Sequence, residues 1–415
     1  MSVRTRVVAR TIDLDPSAPV DLLAFAGRDG LLWWQGDAGL ACRGEALRIE
    51  LPNGLSDPRR AAEIVRDALA QFDVADEVRR PATGPVALGA LPFDRDAAGA
   101  FVVPEVLVGR SRDGRQWMTA VGVDPGDVDV AAITSASAPE GVPDGFRLTT
   151  PIGHAEFKEK VAAAVDAIAA GPLEKVVLAR EVVVETNRPI DVVSVLERLH
   201  ALYPSCTVFS VDGFIGASPE LLLERRGDRV RSHPLAGTFP RSGDPDADEV
   251  LATRLQQSTK DRSEHRFVID ELDRALRPRC EELDVPDVPT ILPLRNVLHL
   301  GTEIAGRLRD PLPSALELVG ELHPTPAVGG TPTAQALEWL RANEGLERGR
   351  YAGPVGWVDG EGDGSFVIGI RSAEVDASVA RLFAGVGIVA GSDPEAELVE
   401  TQLKLQALLA ALVRP

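Results

Sequence analysis

Cysteine is scarce in this chain of 415 residues: only Cys42, Cys206 and Cys280 occur, far apart and with no CxxC pair. That argues against a disulfide framework and a zinc ribbon and fits a reducing cytoplasm. Long apolar runs are missing as well. The most apolar stretches, LFAGVGIVAG at 382–391 and LQALLAALV at 405–413, fall short of the ~20 residues that span a bilayer and read as core elements. The opening MSVRTRVVARTIDLDP lacks the apolar core of a signal peptide, being interrupted by Asp13 and Asp15. A cytoplasmic protein with no membrane partner is therefore expected. Positive charge is in deficit. Lys and Arg number 44 against 63 Asp and Glu, a net charge of -19, which repels a polyphosphate backbone and argues against nucleic acid as a partner. The same acidic surface, with no obvious apolar patch, points to a monomer.

What is present is globular in kind. Apolar residues make up 44% and charged residues 26%, both near the average for folded domains. The length predicts two or three domains, or one large domain with an internal repeat. No repeat at a fixed period of 20–50 residues is visible, so a solenoid is not expected.

Residues 1–145 read as a loosely patterned half. In DPRRAAEIVRDALAQF, Asp57 is placed as N-cap, Pro58 as the first helical residue, and Ile64, Val65, Leu69 and Phe72 as an apolar stripe, predicting a helix over 58–72. Strand-like runs flank it, VALGAL at 86–91 and FVVPEVLVG at 101–109. The stretch 123–145 is rich in Pro, Gly, Ser and Asp without a sustained period, which marks a junction. From 146 to 415 the pattern is firmer. An Ala-rich helix ends at Gly171, EKVVLAREVVVET at 174–186 reads as a strand, and a helix starts from Asp191. Hairpin-like strands across 207–239, a long helix over 245–277, strands near 297–304, a hairpin in GWVDGEGDGSFVIGIRS, and the strand RLFAGVGIVAG before a terminal helix follow. Gly-punctuated strands joined by short turns favour antiparallel sheets with helices outside, an α+β fold.

Two acidic helical faces are the strongest chemical signal. In the terminal helix Glu397, Glu400 and Lys404 recur at i, i+3 and i+7; in KDRSEHRFVIDEL, Asp261 and Glu264 stand one turn apart beside His265. Each alone reads as a solvated stripe. If the faces meet, four carboxylates converge, and each like-charged pair ~4 Å apart costs about 4 kcal/mol at an effective dielectric of ~20. Such a cluster needs a cation or protons, and oxygen ligands favour magnesium. His265 lacks an HxxxH or HxH partner and reads as a hydrogen-bonding core group.

Other candidates are weaker. GVGIVAGSDP spaces Gly385, Gly387 and Gly391 as GxGxxxG before a helix, suited to amide contact with a small carboxylate or to plain strand packing, but not to a dinucleotide. DGEGDGSFVIGI imitates a calcium loop but carries Ile370 at its twelfth position, so it reads as a hairpin tip. Lys175, opening the valine-rich strand, becomes a plausible base if buried, and Glu220 in GASPE a plausible proton carrier; both otherwise read as surface charge.

Together, LEKVVLAR (173–180), GASPELLL (216–223), HPLAGTFPR (233–241), KDRSEH (260–265), HPTPAVGG (323–330), YAGPVGW (351–357), IGIRSAEV (368–375) and GSDPEAELVETQLK (391–404) resemble the chorismate-utilising enzymes, most closely the isochorismate synthases. The resemblance covers about 150–415; residues 1–145 resemble the family's variable half only in size and general pattern. It implies one α+β unit with two large antiparallel sheets packed face to face, helices outside, and a magnesium site between them. It further implies Glu264 and Glu400 as metal ligands, supported by Asp261 and Glu397. Arg371 and Tyr351 would hold the enolpyruvyl carboxylate of chorismate, helped by Gly385, Gly387 and Lys404, while Gly237, Thr238 and Ala327 line the same site. Lys175 would activate water and Glu220 would protonate the leaving hydroxyl.

Departures within the family narrow the product. Aminodeoxychorismate synthases with a covalent lysine carry it where this chain has Ala236, and anthranilate synthases usually have glutamine in place of Lys175. Salicylate synthases resemble SVTASG where this chain reads PTPAVGG, so Ala327 leans toward release of isochorismate. The expectation is an isochorismate synthase, with its product open to menaquinone, siderophore or salicylate synthesis. Salicylate synthase, anthranilate synthase component I and a non-catalytic chorismate-binding scaffold follow in that order.

Overall fold

A computed structural model describes residues 7–135 and 143–413. Two large sheets dominate it. The larger runs in space as Phe146–Thr149, Lys175–Thr186, Val379–Val389, Ser372–Asp376, Phe214–Ser218, Thr207–Val211, Leu31–Gln35, Ala38–Arg43, Val106–Arg110, Gln116–Val121, Val8–Leu14 and Asp73–Asp76, with the short Gly330–Thr331 also paired to Lys175–Thr186. The second orders Cys280–Asp284, Ile304–Leu308, Arg229–His233, Leu221–Arg226, Gly364–Ile368, Pro354–Asp359, Val86–Ala90, Gly99–Val103 and Leu47–Leu51. Pairing is antiparallel throughout except between Val8–Leu14 and Asp73–Asp76. In each sheet the strands before residue 145 form one block and those after it another, joined where Thr207–Val211 pairs with Leu31–Gln35 and where Pro354–Asp359 pairs with Val86–Ala90, so the two halves of the sequence continue the same sheets.

The sheets meet through Trp33, Leu40, Trp117, Phe209 and Phe214 on one face and Leu88, Val355, Trp357 and Val367 on the other, all buried. Both faces of each sheet are covered, which is why strands such as Thr207–Val211 are buried at every position. Helices Val192–Leu202 and Pro394–Val413 cover the outside of the large sheet through Val195, Leu196, Leu199, Leu405 and Leu408. Pro58–Leu69, Thr259–Leu276 and Ala315–Leu322 cover the smaller one through Val65, Leu69, Val268, Leu272 and Leu318. Among the described residues no helix is long and apolar enough to cross a membrane.

Several local expectations are refined. The helix expected over 245–277 is two, Pro245–Gln257 and Thr259–Leu276, because Ser258 adopts extended backbone and its hydroxyl caps the second through the Asp261 amide at 3.2 Å. The run 101–109 is two strands separated at Pro104, which has no amide to give a ladder. The junction 123–145 contains a turn at Pro125–Asp127 and a helix at Val130–Ser135, and residues 136–142 lie outside the described ones. In the 359–364 tip, Asp359 Oδ1 accepts the amides of Glu361 and Asp363, each at 3.0 Å, and Asp363 accepts that of Gly227 at 2.7 Å. These acids organise a turn, as the hairpin reading requires.

Candidate active site

One cavity gathers the chemistry between the valine-rich strand, the last strand and the third sheet, made of Leu235–Pro240, Val297–Gly301 and Thr290–Pro293. Its wall includes Glu220, Gly237, Thr238, Glu264, His299, Ala327, Tyr351, Arg371, Gly385, Gly387 and Lys404. Roomier clefts open elsewhere, one of about 420 Å³ just across Pro219, but here the buried Glu220, His299, Tyr351 and Arg371 all face one space. Lys175 stands one layer behind this wall: a Cβ added at Gly387 would sit 3.0 Å from Lys175 Cε and would collide with Glu264 Oε1.

Lys175 opens the strand Lys175–Thr186, paired on one side to Val389 and on the other to Thr331, and its side chain is 0% exposed. Its Nζ lies 3.0 Å from Glu264 Oε1. That ion pair can engage at most one of the three donors of the ammonium, so the others are left without a partner among the described residues. Such a buried, unsatisfied donor calls for a partner that binds there.

Glu220 follows the strand Phe214–Ser218 after Pro219, and its own carbonyl accepts the Ile368 amide at 3.1 Å, anchoring it between the two sheets. Burial pushes its carboxyl up to about 7, against the pull of the Leu235 amide, Lys175 and Lys404. It can carry a proton near neutrality.

Arg371 sits in left-handed backbone, φ 53°, unusual for a side chain with a Cβ and the kind of local strain that functional sites retain. Its Nη2 lies 3.0 Å from His299 Nε2, while His299 Nδ1 bonds the Gly237 carbonyl at 3.0 Å. Burial, then the charges of Arg371 and Lys404, push His299 down to about 3. It is neutral, donates from Nδ1 and accepts from arginine. His299 has one signal in the sequence, an imidazole inside the otherwise apolar strand VLHLG. Tyr351 stacks on Phe383 with ring centroids 5.1 Å apart, and burial pushes its phenol up to about 12, keeping it a neutral donor. Lys404 Nζ donates to the Gly385 carbonyl at 2.9 Å. That carbonyl points off the ladder, so in extended backbone the amides of Gly385 and Gly387 share its side.

A buried pair supports this wall from behind. Arg348 donates to the carbonyls of Val177 and Val328 and to Glu344, which accepts the Ala179 amide at 2.8 Å. It ties the valine-rich strand to the loop bearing Ala327.

The four acids expected to converge do not meet as one group. Glu264 lines the cavity, whereas Asp261, Glu397 and Glu400 do not. Asp261 takes the Ser258 hydroxyl, Glu397 takes Lys260 at 2.9 Å, and Glu400 takes Lys404 at 2.8 Å. Among the described residues no group of three or more His, Cys, Asp or Glu side chains could hold a metal ion. The acids are neighbours all the same: burial first, then the charges of Glu264 and Glu400, raise the Asp261 carboxyl. Magnesium keeps several waters and needs only one or two carboxylates beside an oxygen of the substrate, a number that Glu264 and Glu400 would meet. Glu264 is held ionised: burial alone would raise it, but Lys175, Lys404 and Lys260 together bring it below the usual range. His265 is a core group, bonded to Thr302 Oγ1 at 2.8 Å.

A ring bearing two carboxylates is the ligand this combination of arginine, tyrosine, amides and paired acids suits. The family model for chorismate binding enzymes matches residues 3–413, and the chain belongs to that family. It is 38% identical to isochorismate synthase DhbC of Bacillus subtilis over 84% of this chain and 84% of that protein. It is 36% identical to isochorismate synthase EntC of Escherichia coli over 81% and 83%. The solved structure of MenF, the menaquinone-specific isochorismate synthase of Escherichia coli, superposes with a TM-score of 0.82 at 24% identity over 98% of this chain and 95% of that one. The last comparison shows the shared fold.

Proposed function

We propose that the protein is an isochorismate synthase that uses magnesium, with Lys175 and Glu220 as its proton-transfer pair. The observation that carries this reading is a fully buried lysine one layer behind the cavity wall, with donors left unmet, opposite a buried glutamate on that wall able to hold a proton near neutrality. Arg371 and Tyr351, with the Gly385 and Gly387 amides and Lys404, bind the enolpyruvyl carboxylate. His299 holds Arg371 in place. Lys175, in its neutral amine form, takes a proton from water as the water oxygen adds at ring carbon 2. The double bond migrates, and Glu220 gives its proton to the hydroxyl leaving carbon 4. Atoms balance, since one water enters and one leaves. Glu264 and Glu400, with Asp261 and Glu397 behind them, would hold magnesium, which when bound would supply positive charge for the ring carboxylate.

Ala327 beside the cavity supports release of isochorismate without loss of pyruvate. Relatives are named for menaquinone and for vibriobactin synthesis alike, so isochorismate is the product common to both destinations. Every group in this scheme comes from one chain, so a monomer suffices.

Incubating the protein with chorismate and magnesium and separating the products chromatographically tests the reading. Isochorismate is expected. Salicylate with pyruvate, anthranilate on adding ammonia, or conversion that chelation leaves unchanged would each contradict part of it. A second test uses Gly387. Its φ is not in the left-handed region, so alanine fits the backbone, but the new methyl meets Glu264 and Lys175. Displacing both by a few tenths of an ångström to an ångström should cost up to about 10²-fold in kcat/KM. Gly387→Ala with wild-type kinetics would remove that strand from the site.

A further inference from the structure

Each acid assigned to the ion, Asp261 excepted, is held by its own lysine: Glu264 by Lys175 at 3.0 Å, Glu400 by Lys404 at 2.8 Å and Glu397 by Lys260 at 2.9 Å. Three ammonium groups thus stand against four carboxylates. Two of these lysines have other work, Lys175 at the reacting water and Lys404 at the Gly385 carbonyl. Lys260 has none. Its hydrogen bond is to Glu397, it does not line the cavity, and 45% of its side chain is in solvent while that of Glu397 is 2% exposed. It is therefore the one ammonium of the three with an open way out.

We infer that Lys260 is a built-in competitor of the divalent ion, clamping the buried Glu397 while the ion is absent and swinging into solvent when it binds. The inference rests on the magnesium reading above. A carboxylate as buried as Glu397 cannot stay ionised beside Glu400 without a cation, and one long, half-exposed side chain supplies it reversibly. The two cations exclude each other. A divalent ion at Glu264 and Glu400 repels the ammonium, and the ammonium, while clamped, both occupies Glu397 and lowers the pull of the whole cluster on the ion. The clamp also opposes repulsion among the acids, so the site does not fly apart before loading.

A prop and a competitor predict opposite results. If Lys260 merely held Glu397 in position, neutralising it would weaken metal binding; as a competitor, its removal strengthens it. Titrating the full chain with Mn²⁺, followed by the electron paramagnetic resonance of the free ion, reads this without turnover. Lys260→Met should bind Mn²⁺ about three- to tenfold more tightly than wild type, the scale of one partly screened ion pair, while Lys260→Arg, which keeps the charge, should stay close to wild type. Lys260→Gln provides the same neutralisation should the methionine variant fail to fold. Unchanged or weaker binding in both neutral variants, with a wild-type site that Glu264→Gln abolishes, overturns the competitor role alone. A wild type with no such site overturns the magnesium reading together with it.

Discussion

Lys175→Arg is expected to fold, to bind chorismate and to turn it over at least about 10³-fold more slowly than wild type, within the range that general-base groups contribute. The choice of arginine matters. Lys175 is fully buried beside Glu264, so removing its charge leaves a carboxylate uncompensated in the interior, a loss of the order of 3–5 kcal/mol when a buried pair is broken. Lys175→Ala would therefore mix instability with lost chemistry. Arginine keeps the charge but holds its proton at any working pH and cannot accept one from water. Isochorismate formation should collapse in kcat while KM for chorismate moves little, because Arg371 and Tyr351 still grip the substrate. Lys175→Met, examined beside it, should lose as much activity and also unfold at lower temperature. Retention of a tenth or more of wild-type kcat by the arginine variant would transfer the base to another group.

The sequence carried most of this architecture in local terms. Asp57 before Pro58, the five valines of 174–186 and the glycine-punctuated strands of 354–389 gave their elements directly, since capping and periodicity act within a few residues. The break at Ser258 lies in QQSTKDRSEHR, a run with no apolar residue whose period could mark where one helix stops and the next starts; the local signal is the serine itself, whose hydroxyl caps the Asp261 amide. The site was legible to a different depth. Spacing put Asp261 and Glu264 on one face and Glu397 and Glu400 on another, but no local rule brings together helices over a hundred residues apart. Still less does one reveal that lysines would pair with the acids. His299 shows the converse limit: its role lies in a bond to Arg371, 72 residues away. In the strand itself a buried imidazole looks like any polar interruption of a core.

Glu220→Gln is expected to lower kcat by about 10²–10⁴-fold and, at the same time, to stabilise the protein above neutral pH. Both effects follow from one cause. Burial raises the Glu220 carboxyl from 4.5 to about 7, so between those values the folded chain holds a proton that the unfolded chain has lost. Stability contributed by this group is greatest below pH 4.5 and declines as pH climbs to about 7. Above that, the ionised native state carries a penalty of about 3 kcal/mol. Glutamine pays no such penalty, and its carbonyl can still accept the Leu235 amide. In a melting series from pH 5 to 8 the variant should hold its midpoint at the alkaline end where wild type falls. Catalysis has the matching limb. The acid must be protonated to hand its proton to the departing hydroxyl, so kcat/KM of the wild type should fall as pH rises through about 7, and the residual activity of the variant should lack that limb. A variant that loses activity without gaining alkaline stability would mean that Glu220 is not buried as a proton-bearing acid. One that gains stability yet keeps wild-type turnover would mean that the proton reaches carbon 4's hydroxyl from somewhere else.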